Sequence, residues 1–305
     1  MLTASSPGLP ERPASNRRET ADPRACHPRG EPLVARLKNL SRNSPGQIIS
    51  DIWSRRAFLS LLGYSRVKAS LADTNAAGLW WLLEPALRVA VYGAIFGLLL
   101  PASSRPDNFV ISLIIGIAIF QTYQSASTRG TNLFKESRGL EENTSLSPWA
   151  FVVSTIIETH VKSLAFIIIV YVAALVLGVT PTWWWLAFPL VFVSSSLFLY
   201  AVSLITASTT RFFPSFPRLL SAFNRLVFYS SGIFWSIEKV LADSPTLLAI
   251  AQLNPVYQLI AVGRALLVDN EIQWHWILSL NAFATALLLI IGILLFSRAN
   301  RSDRD

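Results

Sequence analysis

The chain has 305 residues, 52% of them hydrophobic and only 14% charged, with ten Trp and a single Cys. Soluble domains carry about 25% charged residues, so much of this surface need not meet water. A disordered protein, a disulfide-stapled secreted module and a basic nucleic-acid binder are excluded. Twelve of the 26 Lys and Arg lie in residues 1–78, ahead of the first long apolar run, which reads as a membrane-orientation signal and not as a nucleic-acid footprint.

Residues 1–47 hold seven prolines among Ser, Arg and Glu, with the lone Cys26. They lack the apolar stretch of a signal peptide, so a disordered cytoplasmic tail with no cleavage is expected. Between 48 and 78, the apolar residues Ile48, Ile49, Ile52, Trp53, Phe58, Leu59, Leu61 and Leu62 recur near helical spacing among Arg55, Arg56, Arg66 and Lys68. This pattern predicts an amphipathic helix lying in the inner interface, a plain linker being the alternative.

A helix crosses the ~30 Å hydrocarbon core with about 20 apolar residues. Six such stretches follow in 79–305: Leu79–Leu100, Phe109–Tyr123 with a polar extension to Thr131, Ala150–Leu177, Trp183–Thr206, Leu219–Trp235 and Trp276–Phe296. Two shorter apolar pieces, Pro245–Leu253 and Val256–Val268, flank Asn254-Pro255. Neither is long enough to span, so two short re-entrant helices are expected between the fifth and sixth spans. The fold class is an all-α integral membrane protein with six transmembrane helices. With the N-terminus inside, 20 Lys and Arg fall on inner segments, against Arg105, Lys239 and Arg264 outside. Both termini, including a short C-terminal tail, are then cytoplasmic and the protein is a multi-pass plasma (inner) membrane protein.

No phosphate-binding loop is recognisable, since Lys162 is the only Lys followed by Ser or Thr and Val161 replaces the glycine before it. Asp303-Arg304-Asp305 matches a metal-binding Asp-x-Asp at a terminus, where such a match carries little weight. The three His are scattered, and neither a catalytic nor a metal constellation emerges. Glu84 with Arg88 and Glu158 with Lys162 are four-residue pairs inside spans, read as self-neutralised snorkelling pairs or as a proton relay. Gly93 and Gly97 form Gly-x-x-x-Gly and allow close helix approach. Trp183-Trp184-Trp185 fits an interfacial aromatic belt. Tyr92, Phe96, Phe120, Tyr123, Phe228 and Tyr229 fit a belt less well. Aromatic rings stack on sugar faces, so a subset lining a pore would guide a glycan, with ordinary packing as the alternative.

Over roughly residues 48–300 the sequence resembles the membrane subunit of ABC-2 type exporters of lipid-linked polysaccharides, O-antigen-type glycans and teichoic acids. The resemblance rests on Val67-Lys68, Gly78-Leu79-Trp80-Trp81-Leu82-Leu83-Glu84-Pro85 and Val91-Tyr92. It continues through Arg211-Phe212-Phe213 and Ser231-Gly232-Ile233-Phe234-Trp235, and is most specific at Leu253-Asn254-Pro255 followed by Arg264-Ala265-Leu266-Leu267. Two cytoplasmic loops depart from the family: Pro214-Ser215 stands where Arg-Asp is common, and Glu141-Glu142 occupies a loop that is often basic.

The resemblance implies a half-transporter, a permease without an ATPase of its own. Two copies of the chain would form a channel driven by two copies of a separate ATPase subunit, which binds ATP and Mg and moves a polyprenyl-linked glycan. Short cytoplasmic loops make Lys135, Arg138, Glu141, Glu142, Arg211 and Arg218 the candidate docking residues for that ATPase. Asn254, Pro255 and Arg264 mark the re-entrant exit. Alternatives are a drug or lipid exporter of the same architecture and an intramembrane polyprenyl-dependent transferase. The transferase would draw on Glu238, Asp243, Asp269, Glu271 or His275. A purely structural scaffold fits the intramembrane charge pairs poorly.

Overall fold

In a bilayer every backbone N–H and C=O must be satisfied within its own segment, so long apolar runs fold as helices. The computed structural model describes residues 50, 52–72, 77–106, 108–141, 148–268 and 274–301, apart from the side chains of 70–72, 77–82, 138–141, 274 and 301. Among these residues the backbone forms α-helices and two short 3-10 turns, with no strand. The tail 1–47, Asp269, Glu271 and the terminal Asp303-Arg304-Asp305 lie outside them.

Helix α1 spans Arg56–Ala72 and α2 spans Ala77–Leu99, with Pro85 inside it. Helix α3, Phe109–Glu141, has 33 residues, about 50 Å at about 1.5 Å per residue, and so outruns the hydrocarbon core. Helix α4 is Pro148–Val176. The expected fourth span opens with a 3-10 turn at Trp183–Ala187 and continues through α5, Phe188–Ser194, and α6, Ser196–Phe212. Helix α7, Phe216–Ser230, has 15 residues, about 22 Å. The Leu219–Trp235 run is therefore not one continuous helix, because Gly232 adopts φ +62° and turns the chain. Short α8, Ile237–Val240, then precedes α9, Pro245–Gln252, and α10, Pro255–Leu267. Helix α11, Trp274–Arg301, closes the chain.

Among the described residues four stretches are long and apolar enough to cross a membrane: Phe109–Ser137, Pro148–Val176, Trp183–Phe212 and His275–Asn300. The α9–α10 pair, bent by 89°, brings the number to five if it is one broken span. Helix α3 is the central post. In its most apolar stretch 72% of residues are buried, against 17% in α11. Helix α3 packs on α4, α6 and α10, and α6 in turn packs on α11. Leu190, Val193 and Leu197 on α5–α6, and Phe283, Leu287 and Ile290 on α11, are exposed, as lipid-facing side chains of an integral membrane protein must be.

Glycines set the tightest crossing. A Cβ at Gly130 of α3 would lie 2.8 Å from the Ser203 carbonyl oxygen of α6, so only glycine lets these backbones approach. The expected close approach at Gly93 and Gly97 is ordinary contact instead: a Cβ there would sit 3.5 Å from Leu113 and 3.7 Å from Phe109.

The α1 stripe Leu59, Gly63 and Val67 is buried. Arg66 anchors the helix through an ion pair with Glu136 at 3.1 Å and bonds to Ser154 and Thr155.

Candidate functional site

Six candidate aromatics come from three helices and converge. Tyr92 and Phe96 stand on α2, Phe120 and Tyr123 on α3, and Phe228 and Tyr229 on α7. The Phe228 ring lies 5.4 Å from Tyr92, 4.7 Å from Phe120 and 5.4 Å from Tyr229. Phe120 reaches Tyr123 at 5.7 Å, and Tyr92 reaches Phe96 at 6.4 Å. A residue absent from the candidate set joins them. Phe234, in the turn after α7, stacks on Phe96 at 3.9 Å and touches Tyr92, Phe228 and Tyr229. Its position just beyond Gly232, in an aromatic-rich segment, was the available signal. Phe120, Tyr123, Phe228 and Phe234 are buried, whereas Tyr229 is exposed.

Polar groups interleave with these rings. Asn224 shares the buried face of α7 with Leu220 and Phe228, at four-residue steps. Its Oδ1 accepts from the Tyr123 hydroxyl at 3.2 Å, and its Nδ2 donates to Ser127 Oγ at 3.1 Å. Arg88, Gln121, Gln124, Asn224 and Arg225 join Tyr92, Phe120 and Phe228 around a cleft of about 110 Å³. Amides and guanidiniums beside ring faces form a surface that can hold a polar, ring-shaped ligand.

At the break between α9 and α10, Asn254 caps α10 by accepting from the Val256 amide at 3.0 Å, while its Nδ2 donates to Ser231 Oγ at 2.9 Å. Pro255 occupies the first turn, where its missing donor costs nothing. Arg264 does not face the surface. It is buried, and its guanidinium donates to the carbonyls of Gly232 at 2.9 Å, Ile233 at 3.0 Å and Ser112 at 3.2 Å. Asn281 of α11 donates to the Pro255 carbonyl at 3.1 Å and to Gln258 Oε1 at 3.2 Å. Glu238, a candidate of the transferase alternative, instead accepts from Tyr257 and Ser236.

Of the candidate docking residues, Lys135 and Arg211 line one groove of about 410 Å³ between α3 and the α6–α7 turn, with Pro214 and Pro217. Arg218 is exposed in the first turn of α7. The side chains of Arg138 and Glu141, and Glu142 as a whole, lie outside the described residues. Above the groove, buried Glu158 pairs with Lys162 at 2.9 Å and with Arg129 of α3. Spacing gave the Lys162 partner, but nothing in the sequence connects Arg129 to α4. Of the three tryptophans, Trp183 is exposed but Trp185 turns inward, stacked on Tyr171 at 5.8 Å.

A family model of ABC-2 type transporters matches residues 60–268, from α1 through α10. The chain belongs to the ABC-2 type transporter family. As an ABC-2 protein it is a transporter permease, of the kind that works with a partner ATPase subunit. It is similar to the O-antigen export system permease protein RfbA of Klebsiella pneumoniae, with 23% identity over 222 residues, covering 72% of this chain and 83% of that one. It is also similar to the RfbA O-antigen export permease of Myxococcus xanthus, with 20% identity over 226 residues, covering 74% and 86% of the two chains.

Proposed function

We propose that this ABC-2 permease exports a polyprenyl-linked cell-envelope polysaccharide from the cytoplasm. Two copies form the channel, and two copies of a separate subunit bind ATP with Mg and drive it. The reading is carried by the likeness, across most of both chains, to permeases whose names specify O-antigen export. The ring-lined cleft supports the glycan part of it, because apolar sugar faces stack on aromatic rings while amides engage hydroxyls. The finer architecture belongs to the same proposal. Six crossings, with α2 as the first and α7 plus its following turn as the fifth, put both termini on the cytoplasmic side of the inner membrane. Helices α9 and α10 then dip in and return at the outer mouth, a backbone arrangement tolerable at that depth only when covered by protein or lining a watery cavity.

The exposed face of α7 supports the dimer. Arg225 and Tyr229 are exposed on one protomer, and an exposed guanidinium within a lipid-facing stretch is costly. A channel wall between two copies removes that cost. In this reading the ATPase docks at the Lys135–Arg211 groove and at the loop joining α3 to α4.

Deleting the gene tests the reading. Surface polysaccharide should disappear while its polyprenyl-linked form accumulates inside, and a plasmid copy should restore export. Unchanged surface glycan together with lost efflux of a drug or phospholipid would transfer the assignment to the other exporter class.

A further inference from the structure

The aromatic cleft contains two cations whose role packing does not explain. Arg88 lies eleven residues into α2 and Arg225 nine residues into α7. At about 1.5 Å per residue both sit about 15 Å along their helices, which the six-crossing reading puts near the middle of a ~30 Å apolar layer. Both line the same cleft. Glu84 takes one Arg88 N–H at 2.7 Å, and a guanidinium has five such donors. Among the described residues Arg225 has no hydrogen bond or ion pair, and it is exposed. A charge at this depth requires water, a partner charge or an anionic ligand.

We propose that Arg88 and Arg225 form a half-way station for the phosphate that joins a polyprenyl carrier to its glycan. This rests on the exporter reading and names the part of the substrate that the cleft receives. The carrier's phosphate is the one obligatory charge that must cross the apolar layer. Guanidiniums suit phosphate because their planar donors engage two oxygens together. Tyr92 lines the cleft beside the anion, where the first sugar lies, and Gln121 and Gln124 provide amides for its hydroxyls. At about 110 Å³ the cleft is several times a water's ~30 Å³ share, enough for a phosphate-sized group while the polyprenyl chain stays in lipid.

The test uses the permease assembled with its ATPase in lipid nanodiscs. The probes are labelled polyprenyl diphosphate and polyprenol of equal chain length. The wild type should bind the diphosphate at least about tenfold more tightly than the alcohol. Arg225→Gln should weaken diphosphate binding about tenfold, equivalent to about 1.4 kcal/mol. Arg225→Lys should keep most of the binding, and Arg88→Gln should lose less than Arg225→Gln, since Glu84 already engages Arg88. A second measurement on the wild type avoids folding artefacts: polyprenyl diphosphate, but not polyprenol, should protect Arg88 and Arg225 from an arginine-selective dicarbonyl, read by mass spectrometry. Equal affinity for the two probes, or equal labelling with and without the diphosphate, would overturn the station. If gene deletion still abolished surface glycan in that case, the exporter reading would stand without it. A diphosphate preference in a strain whose surface glycan survives deletion would support the anion site and overturn the glycan reading.

Discussion

The Arg264 guanidinium donates to the Gly232 carbonyl at 2.9 Å, joining α10 to the turn that ends α7. The same group reaches Ile233 at 3.0 Å and Ser112 at 3.2 Å, so one side chain satisfies carbonyls from two segments around it. Arg264→Leu strands these buried acceptors at about 1–3 kcal/mol each. The purified variant should unfold several degrees below wild type in a detergent melting experiment. Arg264→Lys should recover part of the loss, because one guanidinium nitrogen, Nη2, reaches all three carbonyls and an ammonium also carries three donors.

Glu158 is buried and holds Arg129 from α3 and Lys162 from its own helix. Removing one member of a buried ion pair costs about 3–5 kcal/mol. Arg129 and Lys162 are each about a third exposed, which moves the cost of Glu158→Ala to the lower end. Combining it with Arg129→Met should be less harmful than the sum of the two changes, a coupling that thermal melts in a double-mutant cycle will read.

Gly130→Ala drives a methyl against the Ser203 carbonyl at 2.8 Å. Overpacking of this kind costs about 1–3 kcal/mol. The same change at Gly93, where the Cβ meets Leu113 at 3.5 Å, should be near neutral. Parallel melting curves of the two variants give the comparison.

The long spans were legible because an apolar run of membrane length has a single helical solution. Pro148–Val176 and His275–Asn300 fall within a few residues of their expected ends. The segment Leu219–Trp235 was not, because Ile233, Phe234 and Trp235 resume the apolar run beyond Gly232 while the positive φ there turns the chain. Asn254-Pro255 announced a break between two short helices, and α10 begins there. The aromatic candidates were legible as residues unsuited to a belt, yet the part Phe234 plays among them depends on how the turn folds back on α2. The Arg129–Glu158 pair depends wholly on the packing of α3 against α4 and leaves no trace in residue spacing.

Lys135 and Arg211 share the groove proposed as the ATPase dock. Reversing both, Lys135→Glu with Arg211→Glu, should lower the affinity for the ATPase subunit about tenfold. Co-purification at rising salt measures this. Cysteines at the two positions should also cross-link to the ATPase, and cross-linking confined to residues 1–47 would remove the groove from the interface.

The most direct measurement is transport itself. Proteoliposomes holding this permease and its ATPase are given polyprenyl-linked glycan on the face where the ATPase is bound, and transfer is followed with a glycosidase trapped in the lumen. The account predicts cleavage that requires both subunits and ATP with Mg, and that the permease alone neither hydrolyses ATP nor moves the glycan. Cleavage without ATP, or at the same rate in vesicles lacking this chain, would contradict it.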